Sequence, residues 1–458
     1  MIVMKFGGTS CGSAEALKRV AHVVRRAQAD PAAHEVVVVV SALSGVTDML
    51  LGMAEAARTR SRSVDDMLAQ LHERHATVCH ALGLGAQCEA LLEPLDVLRE
   101  VLPGIWYLRE LSPRSKDFVV THGEVLSSRI VAAFLTAEGV RAHPVTGWDA
   151  GIVTDAQYGE AGILEETWTR IPQQLPLATG SVPVVTGFMG QTLAGERTTL
   201  GRGGSDYTAA ILGRALGASE IQIWTDVNGI LSSDPRLVQG TFTLPELTFE
   251  EAAELAYFGA KVIHPKTIEP AVHAGIPVRV LNTFEADHPG TVIVRGPRRT
   301  IRQVVGMACK KGQVILALDS SRMLAAEGFL ARVFAVLERH RVSVDTISTS
   351  EVSVCMTVEP KYEPALRSAT AELETIAHVE IRPGRAIICC VGQGMRERPG
   401  TAGKIFSAVH QADVNVEMIS MGSSKINITF VVRDEDANTV MRELHARLIA
   451  IPPEPLPG

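Results

Sequence analysis

Paired cysteines, long apolar runs and an excess of positive charge are all missing from this 458-residue chain, and each absence excludes something. Seven cysteines, at positions 11, 79, 88, 309, 355, 389 and 390, form no C-x-x-C and are odd in number. Several lie in apolar runs, as buried thiols do, so neither a zinc site nor a disulfide framework is read and a reducing cytoplasm is expected. Cys11 is either a reactive thiol or a small filler. No stretch approaches the length that crosses a bilayer; Val36–Val40 is a five-residue strand core. The first residues carry no charged segment followed by an apolar one and a cleavage site, so no export is indicated. A net charge of −7 argues against nucleic acid or an anionic membrane as the main partner. The one basic cluster, Arg295 to Arg302, is local and turn-rich, as a solvated linker would be.

What is present is alternation. The length exceeds one core, so two or three domains are expected. Over the first ~295 residues, short β-branched runs (Val36–Val40, Phe118–Thr121, Val182–Phe188, Ile221–Thr225, Val278–Val280) alternate with amphipathic segments such as Ser127–Glu138 and Tyr207–Leu216. This pattern predicts an α/β fold, a largely parallel sheet sandwiched by helices, with ligands at the carboxyl ends of the strands. Beyond Arg295 a repeat appears. Gly328, Phe334, Val342, Val344, Ile347, Ser348 and Thr357 recur 72 residues on as Gly400, Phe406, Val414, Val416, Ile419, Ser420 and Thr429. Each copy reads as a helix and two strands; two copies are too few for a solenoid and suggest a pair of α+β modules. The expected domains are 1–296, 297–384 and 385–458, with the last two free to interleave.

Two glycine loops carry the chemistry. Lys5-Phe6-Gly7-Gly8-Thr9-Ser10 joins a strand to a helix expected at Ser13–Ala29. Adjacent glycines bring backbone N–H groups close to an anion, the helix N-terminus points there, and lysine adds a point charge. The spacing is not that of a P-loop, and an ordinary tight turn is the plainer reading. The second loop, Thr198 to Asp206, holds Arg202 between glycines, where an unshielded guanidinium suits a carboxylate. Ser205 and Asp206 are also natural N-caps. Glu124, read as following a strand, either meets an ammonium group or caps the next helix, and His122 is read as structural. Ser41, Gly45 and Thr47 form a third small-residue loop, and Trp224 to Gly229 ends a strand in a turn. Arg236 and Lys261 are phosphate neutralisers or plain surface cations. With no metal cage and no covalent nucleophile, this set suits phosphoryl transfer, which needs positioning and charge neutralisation. A carboxylate acceptor is already ionised and needs no general base. Magnesium would bridge the nucleotide phosphates.

These motifs resemble the aspartokinase signatures. They are Lys-Phe-Gly-Gly-Thr-Ser, Thr198 to Ala209, Trp224 to Ile230, Phe258 to Pro265 and Ser343 to Val354, in family order over nearly the whole chain. The resemblance implies an amino-acid-kinase fold with two ferredoxin-like ACT modules, and ATP-dependent phosphorylation of the β-carboxylate of L-aspartate. ATP and Mg2+ are the implied cofactors. On matching positions, Lys5 and Asp206 would be catalytic. Gly7, Gly8 and Thr9 would assist at the phosphoryl group. Arg202 would hold the α-carboxylate and Glu124 and Asp206 the ammonium, with Ser41, Thr47, Gly203, Gly204 and Ser205 nearby. Thr225, Asp226, Leu231, Arg236, Lys261 and Val262 would face the nucleotide; Leu231 departs from the family's aromatic residue. Met323, Ala326, Gly328, Phe329 and Leu330 would line an effector pocket with Ser343, Val344, Asp345, Ser350 and Glu351. Its acids favour lysine, whereas Ala325 and Ala326 replace polar residues and leave threonine open. A homo-oligomer, dimer or tetramer, through the ACT modules is implied. A glutamate-type carboxylate kinase and a catalytically silent amino-acid sensor are the competing readings.

Overall fold

The computed structural model describes residues 1–29, 35–177, 180–259, 263–296, 302–320, 323, 327–396 and 398–449. It divides into two units. The first comprises 1–230, 245–249 and 263–295, and the second 231–244, 250–262 and 296–458.

In the first unit a run of valines does what β-branched residues do between two covered faces. Strand β2 (Val36–Val40) is buried at every position, as is β1 (Ile2–Phe6) beside it. The remaining strands are β3 (Ala142–Val145), β4 (Val182–Thr186), β5 (Met189–Gln191), β6 (Arg197–Thr199), β7 (Glu220–Thr225), β8 (Glu246–Thr248), β9 (Val278–Asn282) and β10 (Thr291–Val294). Eight of them form one sheet in the order β3-β4-β2-β1-β7-β9-β10-β8, parallel throughout except where β10 runs against β9. The β5–β6 hairpin stands apart. The fold class agrees with the expectation from alternation.

Two local expectations fail. Phe118–Thr121 is no strand: Pro113–Val120 is a helix, with Ser112 accepting the Ser115 N–H and proline at its first position. Val119 and Val120 are buried on that helix, Phe118 is half-buried and Thr121 follows its end. The helix His122–Ala137 follows at once, so Glu124 sits in a first helical turn. Together Pro113–Ala137 reach the length and apolarity of a membrane span, contrary to the run-length reading. However, 78% of their most apolar window is buried inside the unit. Leu126, Ile130 and Leu135 are core residues there.

In the second unit the 72-residue repeat appears as geometry. Strands β11 (Gly306–Asp319), β12 (Thr346–Thr349), β13 (Ser353–Val358), β14 (His378–Val391), β15 (Met418–Ser420) and β16 (Asn427–Arg433) form a sheet ordered β12-β13-β11-β14-β16-β15. β11 and β14 begin and end 72 residues apart, as do the helices Phe329–Arg339 and Thr401–Gln411. The later half of β11 pairs with β13 and the later half of β14 with β16, while the two long strands pair with each other along their lengths. A register break near Gln313 marks the crossing point. The modules therefore interleave, each taking one half-strand from the other. Segment 231–244 also folds here although it precedes residue 296. Val238 is buried in the second module's core, with Leu237 and Phe242 against it.

The first unit's core is closed around Leu50, fully buried on the helix Val46–Thr59. Leu50→Ala is expected to cost about 2–5 kcal/mol of unfolding free energy, measured by urea denaturation. A loss below about 1 kcal/mol would mean that the site has collapsed around the missing atoms.

Candidate active site

The carboxyl ends of β1, β2 and β7 open into one cavity of about 1060 Å3. Lys5, Gly7, Gly8 and Thr9 enter from the first loop, and Ser41 and Thr47 from the loop and helix after β2. Thr225 and Asp226 come from the end of β7. Glu124 reaches it from the first turn of His122–Ala137, and Arg202, Gly203, Gly204, Ser205 and Asp206 from the second glycine loop. The two glycine loops, almost two hundred residues apart in sequence, thus face the same space.

The second loop depends on backbone that only glycine adopts cheaply. Gly201 and Gly203 have φ of 74° and 73°, and Gly203, not Ser205 or Asp206, caps the helix Gly204–Leu216. Ser205 and Asp206 fall instead in the first turn, where a carboxylate is stabilised by the helix dipole. Lys5 Nζ lies 2.6 Å from Asp206 Oδ1, each side chain about one-tenth exposed. Ser41 Oγ lies 3.0 Å from Ser205 Oγ. The Arg202 side chain is exposed and has no ion-pair partner among the described residues.

Glu124 is almost wholly buried. One oxygen accepts the Ala42 N–H at 3.2 Å and the other has no partner. Burial pushes its carboxyl up to about 8, with the Ala42 N–H pulling the other way. It is not a helix cap but an acid lacking a cation. Cys11, fully buried, has its thiol raised to about 12 by desolvation, so it is an inert filler. His122 gives its Nδ1 to the Phe118 carbonyl and burial lowers it to about 4, in line with a structural role.

Some expected members lie elsewhere. Leu231 and Arg236 belong to the second unit and do not line this cavity. Arg236 is clamped on Asp234 at 2.7 Å. Lys261 and Val262 fall outside the described residues, as do Ala325 and Ala326. Of the effector set, Phe329 is a core residue, and Met323 and Val344 pack against the same core. Gly328 caps its helix with φ 73°. Leu330, Ser343, Ser350 and Glu351 are exposed. Asp345 already has partners: Lys310 Nζ at 2.9 Å and the Tyr257 hydroxyl at 3.0 Å.

Asp117 was missed. It is buried on the helix Pro113–Val120, borders the cavity, and accepts hydrogen bonds from the Gly159 N–H, the Thr199 N–H and the Thr199 hydroxyl, each at 2.9 Å. The Ser112-Pro113 helix start was the signal that could have found it, because it turns the segment from strand to helix.

Comparison with known proteins decides the family. The amino acid kinase family model matches residues 1–282 and an ACT domain model matches 388–448. Aspartokinase 1, chloroplastic, of Arabidopsis thaliana is 38% identical over 97% of this chain and 79% of its own. Lysine-sensitive aspartokinase 3 of Escherichia coli is 35% identical over 98% of this chain and 99% of its own. The chain belongs to the aspartokinase family. The crystal structure of E. coli aspartokinase III in complex with aspartate and ADP superposes with a TM-score of 0.79, at 33% identity. That match covers 98% of this chain and 99% of the other. The family supplies an aspartate kinase activity and nucleotide use; the cavity described above is where such chemistry has room.

The orphaned Glu124 carboxyl makes a ligand-free prediction. Between pH 4.5 and about 8 the folded protein retains a proton there that the unfolded chain gives up. Stability should therefore fall as pH rises through that window, by at most about 1.4 kcal/mol per pH unit from this group. Glu124→Gln should flatten that decline in urea midpoints taken from pH 5 to 8. Identical pH profiles for the two proteins would contradict a buried, protonated Glu124.

Proposed function

We propose that L-aspartate binds between the two glycine loops, with Arg202 on its α-carboxylate, Glu124 on its ammonium and Lys5 beside the β-carboxylate. The observation that carries this reading is the convergence of Lys5 and Arg202 on one cavity, which also holds an unpartnered acid. A zwitterion with a second carboxylate matches an unpaired guanidinium, an unmet carboxyl and a lysine in complement.

In the reaction, a β-carboxylate oxygen attacks the γ-phosphorus of ATP. The new O–P bond forms as the bond to the β,γ-bridging oxygen breaks, and ADP leaves with that electron pair. No proton has to be removed from the acceptor. Lys5 moves its charge from Asp206 toward the phosphoryl oxygens, and the N–H groups of Gly8 and Thr9 orient them, while the Gly7 N–H is held by the Trp224 carbonyl at 3.1 Å. Thr225 and Asp226 lie on the nucleotide side. Mg2+ normally takes one or two carboxylates together with phosphates. Asp226 is a carboxylate on this cavity wall that fits that need, and the ion would neutralise charge on the phosphates.

For regulation, the named lysine sensitivity of the E. coli relative supports lysine as effector at the first ACT module, with Asp345 and Glu351 for its ammonium groups. Threonine control is the alternative outcome of the same assay. Exposed apolar side chains on that module, Leu330, Phe334, Ile347 and Val352, support a homo-oligomer formed there. Seven free thiols support a cytoplasmic setting.

An aspartate-dependent ADP-release assay, with trapping of the acyl phosphate and with lysine or threonine added, tests the whole reading. Lys5→Ala should lower kcat by roughly 10²–10³-fold. Arg202→Ala should chiefly raise KM for aspartate, by about 2–5 kcal/mol in binding; unchanged values would remove either residue from its role. Lys310→Met should lower the lysine concentration that half-inhibits by roughly two- to tenfold, since it removes an internal competitor worth about 0.5–1.5 kcal/mol. A half-inhibition point that stays put or rises would exclude Asp345 as the effector's partner.

A further inference from the structure

Arg202 stands on a turn with two left-handed glycines, which by itself fixes no direction for its guanidinium. Something must hold the turn from behind. The Thr199 carbonyl accepts the Ala161 N–H at 2.9 Å, and the Thr198 and Thr154 hydroxyls meet at 2.7 Å, so the strand leading into the turn lies against segment 154–161. Gly201 lies so close to that segment that a Cβ on it would come 3.0 Å from Glu160 Cγ and 3.2 Å from the Gly159 carbonyl oxygen. One side chain ties the two together. Asp117 Oδ2 accepts both the Gly159 N–H and the Thr199 N–H, while Oδ1 accepts the Thr199 hydroxyl.

We infer that Asp117 is a positioning residue for substrate selection: its carboxylate clamps Thr199 to Gly159 and so sets where Arg202 meets the substrate's α-carboxylate. The inference rests on the carboxylate-binding role proposed for Arg202. Both Asp117 carboxylate oxygens are already taken by protein donors. All three of its bonds go to the scaffold of one loop, and the Lys5 loop receives none of them. Loss of the clamp should therefore be felt in aspartate binding and not in nucleotide binding. Asparagine keeps the clamp, because its carbonyl can accept both N–H groups while its amide donates to the Thr199 hydroxyl. Alanine abolishes it.

Steady-state kinetics on the full chain test this. Asp117→Ala should raise KM for aspartate about tenfold or more, with KM for ATP within about twofold, and Asp117→Asn should stay within about threefold of the parent on both. In the Arg202→Ala background Asp117→Ala should add almost nothing to KM, since the clamp acts through the missing arginine. Should Asp117→Ala fail to fold, Thr199→Val removes only the hydroxyl arm and should give a smaller rise confined to aspartate. Equal rises in both KM values, additive effects in the double variant, or an unchanged aspartate KM would each overturn the inference. If Arg202→Ala itself leaves aspartate KM unchanged, the carboxylate reading has failed first. If Arg202→Ala shifts it and Asp117→Ala does not, only the clamp is wrong.

Discussion

The contact between Lys5 and Asp206 organises the catalytic half of this molecule. A lysine at the end of a fully buried strand loses most of its water, and an isolated ammonium there would be costly. Asp206 offsets that cost from the first turn of a helix, where the dipole already favours a carboxylate. The pair joins the end of β1 to the start of Gly204–Leu216, so the first glycine loop and the Arg202 loop border one opening. Because an ammonium is a compact charge with rotatable donors, it can exchange Asp206 for phosphoryl oxygens without a change in the scaffold.

Around that pair the cavity is left electrostatically incomplete. Arg202 has no carboxylate among the described residues, and Glu124 has an oxygen with no donor. Folding normally satisfies buried polar groups, so an acid left protonated for want of a cation stores interaction energy until a cationic group arrives. Desolvation outweighs the N–H groups of Ala42 and of Glu124 itself, which is why the carboxyl is raised and not lowered. A ligand carrying both charges completes both groups at once; a longer acid would complete them too, but would misplace its side-chain carboxylate relative to Lys5 by about one methylene.

Much of this was readable from sequence, because glycine pairs, valine runs and a repeat without gaps are local signals with direct backbone meaning. Fourteen of the expected site positions, from Lys5 to Asp226, border one cavity. The failures share a cause. Phe118–Thr121 has strand texture, yet the Ser112-Pro113 start two turns earlier decides for helix, and Asp117 went unseen with it. The cap of Gly204–Leu216 went to Gly203 over two better side-chain caps, because the turn needs φ near 73° and the acid is wanted one turn in. Nor could the membership of segment 231–244 in the second unit be read from composition. Leu237, Val238 and Phe242 join a core whose other members come more than sixty residues later.

The interleaved strands bear on how an effector signal could move within the second unit. Lys310 and Asp345 make one ion pair, and Arg382 and Glu417, each 72 residues on, make its counterpart, with Arg385 also on Glu417 at 2.9 Å. In both repeats the cation sits on a strand that the two modules share, and the acid lies just before an edge strand. The second copy is held chiefly by Arg385, with Arg382, itself bonded to Glu380, at 3.7 Å, whereas the first relies on a single lysine that also serves Glu359. Asp345 additionally takes the Tyr257 hydroxyl, from the helix Phe249–Tyr257 just ahead of the segment that contains Lys261. An incoming ammonium that captures Asp345 would free both Lys310 and Tyr257. It would therefore disturb the shared strand and that helix together, whereas Glu417 keeps the opposite module fixed. The two repeats thus differ in the count of cations on each acid, one on Asp345 and two on Glu417.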